Sequence, residues 1–236
     1  TLASFVGTKY AVALNSCTDA LYLALRGLGI GQSDEVLVPS RTFVASAQVI
    51  VQVGATPVYY DTDGIKEWSV KTKAVIPVHI EGAFDSHFEE ITTTAKNLNI
   101  PVIEDAAQAF GATQNGKKAG SFGLAGAFSF YPAKTLGAFG DAGALVTDDK
   151  ELYEWVRDAR NHFKEDARDW GVNSRLDNLQ ATFLNIKFKT YDQALARRKE
   201  IATMYDIGLE KLPLVRPPHT EGRIWQDYII RLDQRD

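Results

Sequence analysis

Cysteine is nearly absent from this sequence of 236 residues: Cys17 stands alone. One thiol cannot form an intrachain disulfide, so a reducing compartment, the cytoplasm, is the simpler expectation. Histidine is scarce as well. His79, His87, His162 and His219 are scattered without metal-ligand spacing, so no metal centre is expected. No Lys/Arg-rich run stands out and the formal net charge is −4, which gives no support to a nucleic-acid partner. The start, Thr1-Leu2-Ala3-Ser4-Phe5, lacks the basic flank and long apolar stretch of a signal peptide, and no run reads as a membrane span. It also lacks an initiator methionine, as a mature or trimmed chain does. No G-x-G-x-x-G follows a strand, and neither a Walker pattern nor H-E-x-x-H is present, which removes three common nucleotide and metalloprotease signatures.

What is there suits a globular protein with a sizeable core: 45% of residues are hydrophobic and 24% charged. Up to Asp148 strand-type and helix-type patterns alternate, which predicts an α/β layer architecture. Strands are expected over Lys9–Ser16, Glu35–Ser40, Thr56–Asp61, Ala74–Val78, Val102–Asp105, Ala127–Tyr131 and Gly143–Thr147. Helices are expected over Thr18–Leu28, Phe43–Val53 and Phe88–Leu98. The strands are apolar on both faces, as in a mostly parallel sheet buried between helix layers. The stretch Asp61–Lys73 is barely long enough for a parallel crossover, so either this connection is antiparallel or residues are absent from it. Beyond Asp148 the pattern turns helical over Glu151–Arg160 and Ser174–Lys211. There Leu176, Leu179, Phe183 and Ile186 recur at helical spacing and read as core. Prolines break Leu212–Pro218, and Tyr228–Leu232 reads as the first strand of a smaller unit.

Three segments carry chemistry. Asn15-Ser16-Cys17-Thr18-Asp19-Ala20 turns from strand to helix, where free amides and the helix dipole favour a phosphate; an ordinary Ser/Thr cap would look the same. In Val102-Ile103-Glu104-Asp105-Ala106-Ala107-Gln108, Asp105 closes an apolar strand, where such sheets place ligand-binding groups. A carboxylate there can keep a pyridine nitrogen protonated, and Gln108 is close enough to reach a phenolic oxygen; a turn-forming Asp is the plainer reading. Ser129-Phe130-Tyr131-Pro132-Ala133-Lys134 sets a lysine in a turn bounded by Pro and Gly. Such a lysine is held and partly desolvated, which lowers an amine's pKa and makes it a nucleophile toward carbonyls; a surface lysine is the plainer reading. His79 ends a strand and reads equally well as a site or a structural residue.

In order along the chain, Phe5–Asp61, Ala74–Gly82, Pro101–Asp148, Arg160–Asn161 and Gly171-Val172-Asn173-Ser174-Arg175-Leu176-Asp177-Asn178-Leu179-Gln180-Ala181, which include these segments, resemble the DegT/DnrJ/EryC1/StrS family of sugar aminotransferases. The resemblance implies a fold-type I enzyme dependent on pyridoxal 5'-phosphate (PLP), with a PLP-binding large domain over 1–190. A connecting helix and the start of a small α+β domain would follow over 191–236. It implies Lys134 as the Schiff-base lysine, Asp105 as the partner of the pyridine nitrogen and Gln108 as the neighbour of the phenolic oxygen. Cys17, Thr18 and Ser129 would hold the phosphate, and Phe43 would stack on the ring. Asn173 would reach the phosphate of the other subunit, which implies a homodimer with shared sites. The implied reaction takes an amino group, from glutamate, to a keto group of a nucleotide-linked sugar in polysaccharide or nucleotide-sugar biosynthesis. Many relatives have glycine at Cys17 and an aromatic or aliphatic residue at Glu81, and typical members begin earlier and continue through a complete C-terminal domain. A PLP-dependent sugar dehydratase, in which histidine replaces the lysine, and a catalytically silent or regulatory protein are the alternatives.

Overall fold

Strands without polar–apolar alternation need cover on both faces, and the central sheet has it. In the computed structural model, which describes residues 1–233, β1 (Tyr10–Leu14), β2 (Glu35–Pro39), β3 (Thr56–Tyr60), β4 (Thr72–Val75) and β5 (Ile103–Asp105) are followed by a small hairpin, β6 (Thr113–Gln114) and β7 (Lys117–Lys118). Strands β8 (Ala125–Ser129) and β9 (Gly143–Thr147) complete the set. Strands β3, β2 and β4 are parallel in that spatial order, and parallel bridges Val75↔Val102 and Val78↔Asp105 tie them to the β5 edge. The sheet continues through β8, parallel to β5, then β9 and β1, each antiparallel to its neighbour.

One face of the sheet is covered by α2 (Cys17–Gly27), α3 (Val44–Gln52) and α5 (Lys150–Ala159), whose apolar sides join a cluster containing Leu21, Leu25, Val49, Ile50, Leu145 and Val156. The other face packs against α1 (Leu2–Val6), the 106–112 segment, α6 (Asn178–Phe188) and α7 (Tyr191–Gly208), around Phe110, Phe128 and Phe130. A third cluster sets α4 (Phe88–Leu98) against the sheet through Phe88 and Ile91. Each fully buried Leu, Ile or Phe contributes about 1.5–3 kcal/mol. Local signals set the helix starts: Ser16 Oγ accepts from the Asp19 amide at 3.0 Å, and Asp149 Oδ1 from the Leu152 amide at 2.8 Å.

Several expectations change. The 61–71 connection joins two parallel strands, β3 and β4, which lie on either side of β2, and it does so without a helix. Ile65 and Trp68 along it pack on the third cluster, so burial of a coil replaces the usual crossover helix. The expected helix over Ser174–Lys211 is two helices, broken at Lys189–Thr190. Of its apolar repeat, Leu179 and Ile186 are exposed, while Leu184 is buried instead. Residues 228–232 form no strand: the pairing is a single bridge, Val215↔Arg231. Pro213, Pro217 and Pro218 deprive the facing segment of amide donors, so no ladder can extend. The last three residues of the 191–236 stretch lie outside the described residues.

Candidate active site

The sheet's pairing register builds one end of the site. Leu14, at the end of β1, and Ser129, at the end of β8, both face Gly143, the first residue of β9. A Cβ at Gly143 would lie 2.2 Å from the Ser16 carbonyl carbon and 2.5 Å from the Cys17 nitrogen, so only glycine lets the β1–α2 turn sit against this edge. The first turn of α2 therefore lies beside Ser129. Ser16 is the residue that caps this helix, which leaves the Thr18 hydroxyl without a capping role. The Cys17 and Thr18 amides belong to the helix N-terminal set that has no intrahelical acceptor.

Asp105 ends β5 two registers away, where it pairs with Ala127 of β8. It is buried, and three donors fix it. Ser46 Oγ donates to Oδ2 at 2.7 Å, while Oδ1 accepts from the Ala107 amide at 3.1 Å and lies 3.8 Å from the Cys17 thiol. Ser46 has one hydroxyl proton and it goes to the carboxylate, so Thr42, 2.8 Å away, donates to Ser46 in turn. Burial pushes the Cys17 thiol well above its ordinary pKa, the Asp105 carboxylate adds to the rise, and the Lys134 ammonium opposes it. Cys17 thus feels Asp105 and Lys134 together. Phe43, the residue before α3, exposes 71% of its surface beside this group, an aromatic face without a partner ring among the described residues.

Lys134 is half-buried in a turn that closes through its own amide onto the Tyr131 carbonyl at 2.8 Å. Side chains hold the turn on both sides. Gln226 Oε1 accepts from the Thr135 amide at 3.0 Å, and its Nε2 donates to the Ala133 carbonyl at 3.1 Å. Thr135 Oγ1 lies 2.7 Å from the Tyr191 hydroxyl, which donates to the Phe110 carbonyl at 2.6 Å, and Lys187 donates to the Gly137 carbonyl.

Gln108 Oε1 accepts from the Glu81 amide at 2.6 Å, leaving its NH2 group as a donor. Glu81 has a left-handed backbone (φ 59°) and its carboxylate bridges Arg41 and the buried Arg223. A cavity of about 450 Å³ opens there between the 78–87 and 215–231 segments. His79 is structural. It is fully buried, with Nε2 3.0 Å from Glu104, which also accepts from the Gly120, Phe122 and Gly123 amides at 2.7 Å each.

Asn173 does not join this group within the chain. It is exposed, and it sits on a segment pinned by the Asn161↔Asn173 bridge and by its neighbour Ser174, which donates to Asp19 at 2.7 Å and accepts from the Asn15 amide at 3.2 Å. The remaining seven expected residues line one sheet edge. Sequence reasoning missed Ser46, Gln226 and Tyr191. Ser46 lies three residues after Phe43 on a helix, a spacing that puts both near one face; Gln226 and Tyr191 carried no local signal at all.

The model of the DegT/DnrJ/EryC1/StrS aminotransferase family matches residues 1–236. The chain is 38% identical to the UDP-2-acetamido-2-deoxy-3-oxo-D-glucuronate aminotransferase of Pseudomonas aeruginosa, over all of the chain and 69% of that protein. It is 40% identical to the dTDP-3-amino-3,4,6-trideoxy-alpha-D-glucose transaminase of Streptomyces venezuelae, over 99% of the chain and 66% of that protein. The crystal structure of S. venezuelae DesV in complex with ketimine intermediate superposes with a TM-score of 0.92 at 38% identity, covering 99% of this chain and 67% of that one. The chain thus spans about two thirds of the length of these proteins.

Proposed function

Because the chain belongs to the DegT/DnrJ/EryC1/StrS aminotransferase family, we propose that it works as a PLP-dependent aminotransferase that delivers an amino group to a keto sugar carried on a nucleotide. The observation that carries the reading is the meeting, at one sheet edge, of a lysine in a fixed turn, a buried three-donor carboxylate and an open helix N-terminus.

The residues present fit the cofactor. Its phosphate matches the Cys17 and Thr18 amides, the Thr18 hydroxyl and Ser129, in the recess that a Cβ at Gly143 would fill. Its ring matches the exposed Phe43 face, its pyridine nitrogen Asp105, and its phenolic oxygen the donor left over on Gln108. When bound, PLP supplies a carbonyl for amine exchange and a ring that accepts an electron pair.

The chain's own groups do the rest. The Lys134 amine anchors the cofactor and, once released, takes a proton from the donor's α-carbon and returns one at C4′ as general base and acid. Asp105 holds a proton at the ring nitrogen, and Ser46, Cys17 and Ala107 orient its carboxylate for that task. Lysine at 134 favours amine exchange over the dehydratase reading, in which histidine stands at that position.

The relatives' names support a nucleotide-linked sugar as acceptor, with glutamate as the donor in this proposal. The large PLP-binding unit is taken as 1–190, followed by the beginning of a smaller one. A homodimer with shared sites accounts for the exposed Asn173 and for the exposed apolar side chains Val44, Phe139, Leu179 and Ile186. The single buried cysteine suits the cytoplasm, and no helix among the described residues is long and apolar enough to cross a membrane.

One experiment tests activity and assembly together, with glutamate and a panel of keto-sugar nucleotides as substrates. Lys134→Ala and Asn173→Asp homodimers should both be impaired, the second because a carboxylate meets a phosphate. After subunit exchange both lesions share one site of the mixed dimer and leave the other intact, so amino transfer should return. No transfer by the wild type sinks the enzymatic reading; confirmed exchange without recovery sinks the shared site alone.

A further inference from the structure

We infer that Gln226 is a positioning residue for Lys134, tying the catalytic turn to the chain's C-terminal segment. The inference rests on the reading of Lys134 as the cofactor-bearing lysine. Gln226 touches the backbone immediately before and after that residue: its Nε2 donates to the Ala133 carbonyl at 3.1 Å, and its Oε1 accepts from the Thr135 amide at 3.0 Å. A peptide amide can only donate and a peptide carbonyl can only accept, so the side-chain amide has one possible orientation. A carboxylate lacks the donor, and an ammonium or guanidinium lacks the acceptor. The amide side chain makes both bonds from one planar group.

The clamp has force because Gln226 is itself held. Its backbone amide donates to the Glu81 carbonyl at 3.2 Å, and the Ile224 backbone amide donates to the Gly82 carbonyl at 3.0 Å. Arg198, on α7, donates to the carbonyls of both Trp225 (3.0 Å) and Gln226 (3.2 Å). The fit depends on Gly82, at φ 83°, where a Cβ would lie 2.9 Å from the Gln226 nitrogen and 3.0 Å from that of Trp225. Trp225, buried at φ 56°, turns the chain so that the next side chain meets the lysine turn. Tyr191 holds the same turn through Thr135. The position of the Lys134 amine is thereby set by residues more than fifty places further along the chain, and a shift of the 224–226 segment moves the lysine with it.

The test compares wild-type holoenzyme with Gln226→Met, which keeps the side chain's size and loses both bonds, and Gln226→Glu, which keeps only the acceptor. In Gln226→Met the Thr135 amide should exchange its hydrogen about thirtyfold faster, the effect of losing roughly two ordinary hydrogen bonds. The kcat should fall about ten- to a hundredfold with KM for the sugar nucleotide within about threefold, since placement rather than binding is lost. The pH midpoint of the visible absorption of the Lys134-linked cofactor should also move, and the melting temperature should stay within a few degrees. Gln226→Glu should protect the Thr135 amide and still show the kcat defect. Unchanged Thr135 exchange in Gln226→Met overturns the clamp. So does a kcat loss that follows the melting temperature while the absorption midpoint stays put, which would make Gln226 a packing residue. If no cofactor is found on Lys134, the functional reading fails, and Thr135 exchange still decides whether the clamp exists.

Discussion

The two sides of the site are built differently. Asp105 is held by Ser46 and Cys17 on helices packed against the sheet and by Ala107 in the turn that follows β5, all buried or partly buried and within the first 107 residues. The Lys134 turn is held by Gln226, Tyr191 and Lys187, partners reached only after the chain has left the sheet. The carboxylate side comes with the core, so anything that folds the sheet sets Asp105. The lysine side is completed by a late segment that enters the core through Ile224 and is otherwise joined by side-chain and backbone bonds, and a segment with so few apolar anchors opens at lower cost than the sheet. A cofactor held as proposed, by both sides, would fasten the looser one to the firmer one, and its binding should stabilise the assembled form by mass action.

Changing the carboxylate has the largest expected effect. Asp105→Asn keeps the shape and the contacts to Ser46, so cofactor should still bind, while turnover falls about a hundredfold or more through loss of the charge that holds the ring proton. Steady-state kinetics beside a cofactor titration would separate the two; near-normal turnover would count against Asp105's role.

A smaller loss is expected one step back. Ser46→Ala leaves Asp105 Oδ2 without its 2.7 Å donor inside the protein. That should cost about 1–3 kcal/mol of stability, with turnover down about tenfold. Urea unfolding of Ser46→Ala beside Gln226→Met sharpens the contrast: the first should weaken global unfolding, the second mainly local exchange at the turn.

The smallest effect concerns pH. Burial alone would raise Asp206's pKa, but hydrogen bonds from Tyr228 and His219 and the charges of His219 and Arg216 outweigh it and hold the carboxyl below its usual range. A lowered folded-state pKa contributes stability above the unfolded value near pH 4 and loses it as pH falls through the folded value. Because the pairs are partly exposed, the contribution is under about 1 kcal/mol. Asp206 anchors Tyr228 and His219 of the C-terminal segment to α7. Acid should therefore loosen the lysine side first, and Asp206→Asn should flatten stability measured between about pH 5 and pH 3. An unchanged acid limb would remove Asp206 from that role.

What could be read from sequence follows the same division. Buried strands such as Glu35–Pro39 and Gly143–Thr147 announce themselves by apolar runs, and Asp105, Thr18 and Lys134 stand at their ends, where α/β sheets gather ligands. The helix-like repeat after Ser174 misled about Leu179 and Ile186, because periodicity marks an apolar face without saying whether this chain or another covers it. The 228–232 strand failed for a different reason: β-propensity counts only when a partner offers amides, and Pro217 and Pro218 face it. Gln226 was invisible because its role is set by a contact 91 residues away in sequence. Local pattern carries no information about such a contact.

The central claim is that the amine of Lys134 carries the cofactor. The most direct measurement is borohydride reduction of the purified holoenzyme, followed by proteolysis and mass spectrometry of the peptides. The account predicts a pyridoxyl-phosphate mass addition on the peptide containing Ser129-Phe130-Tyr131-Pro132-Ala133-Lys134, located on Lys134 and absent from Lys134→Ala. An adduct on another lysine, or none in protein shown to hold bound cofactor, would contradict it.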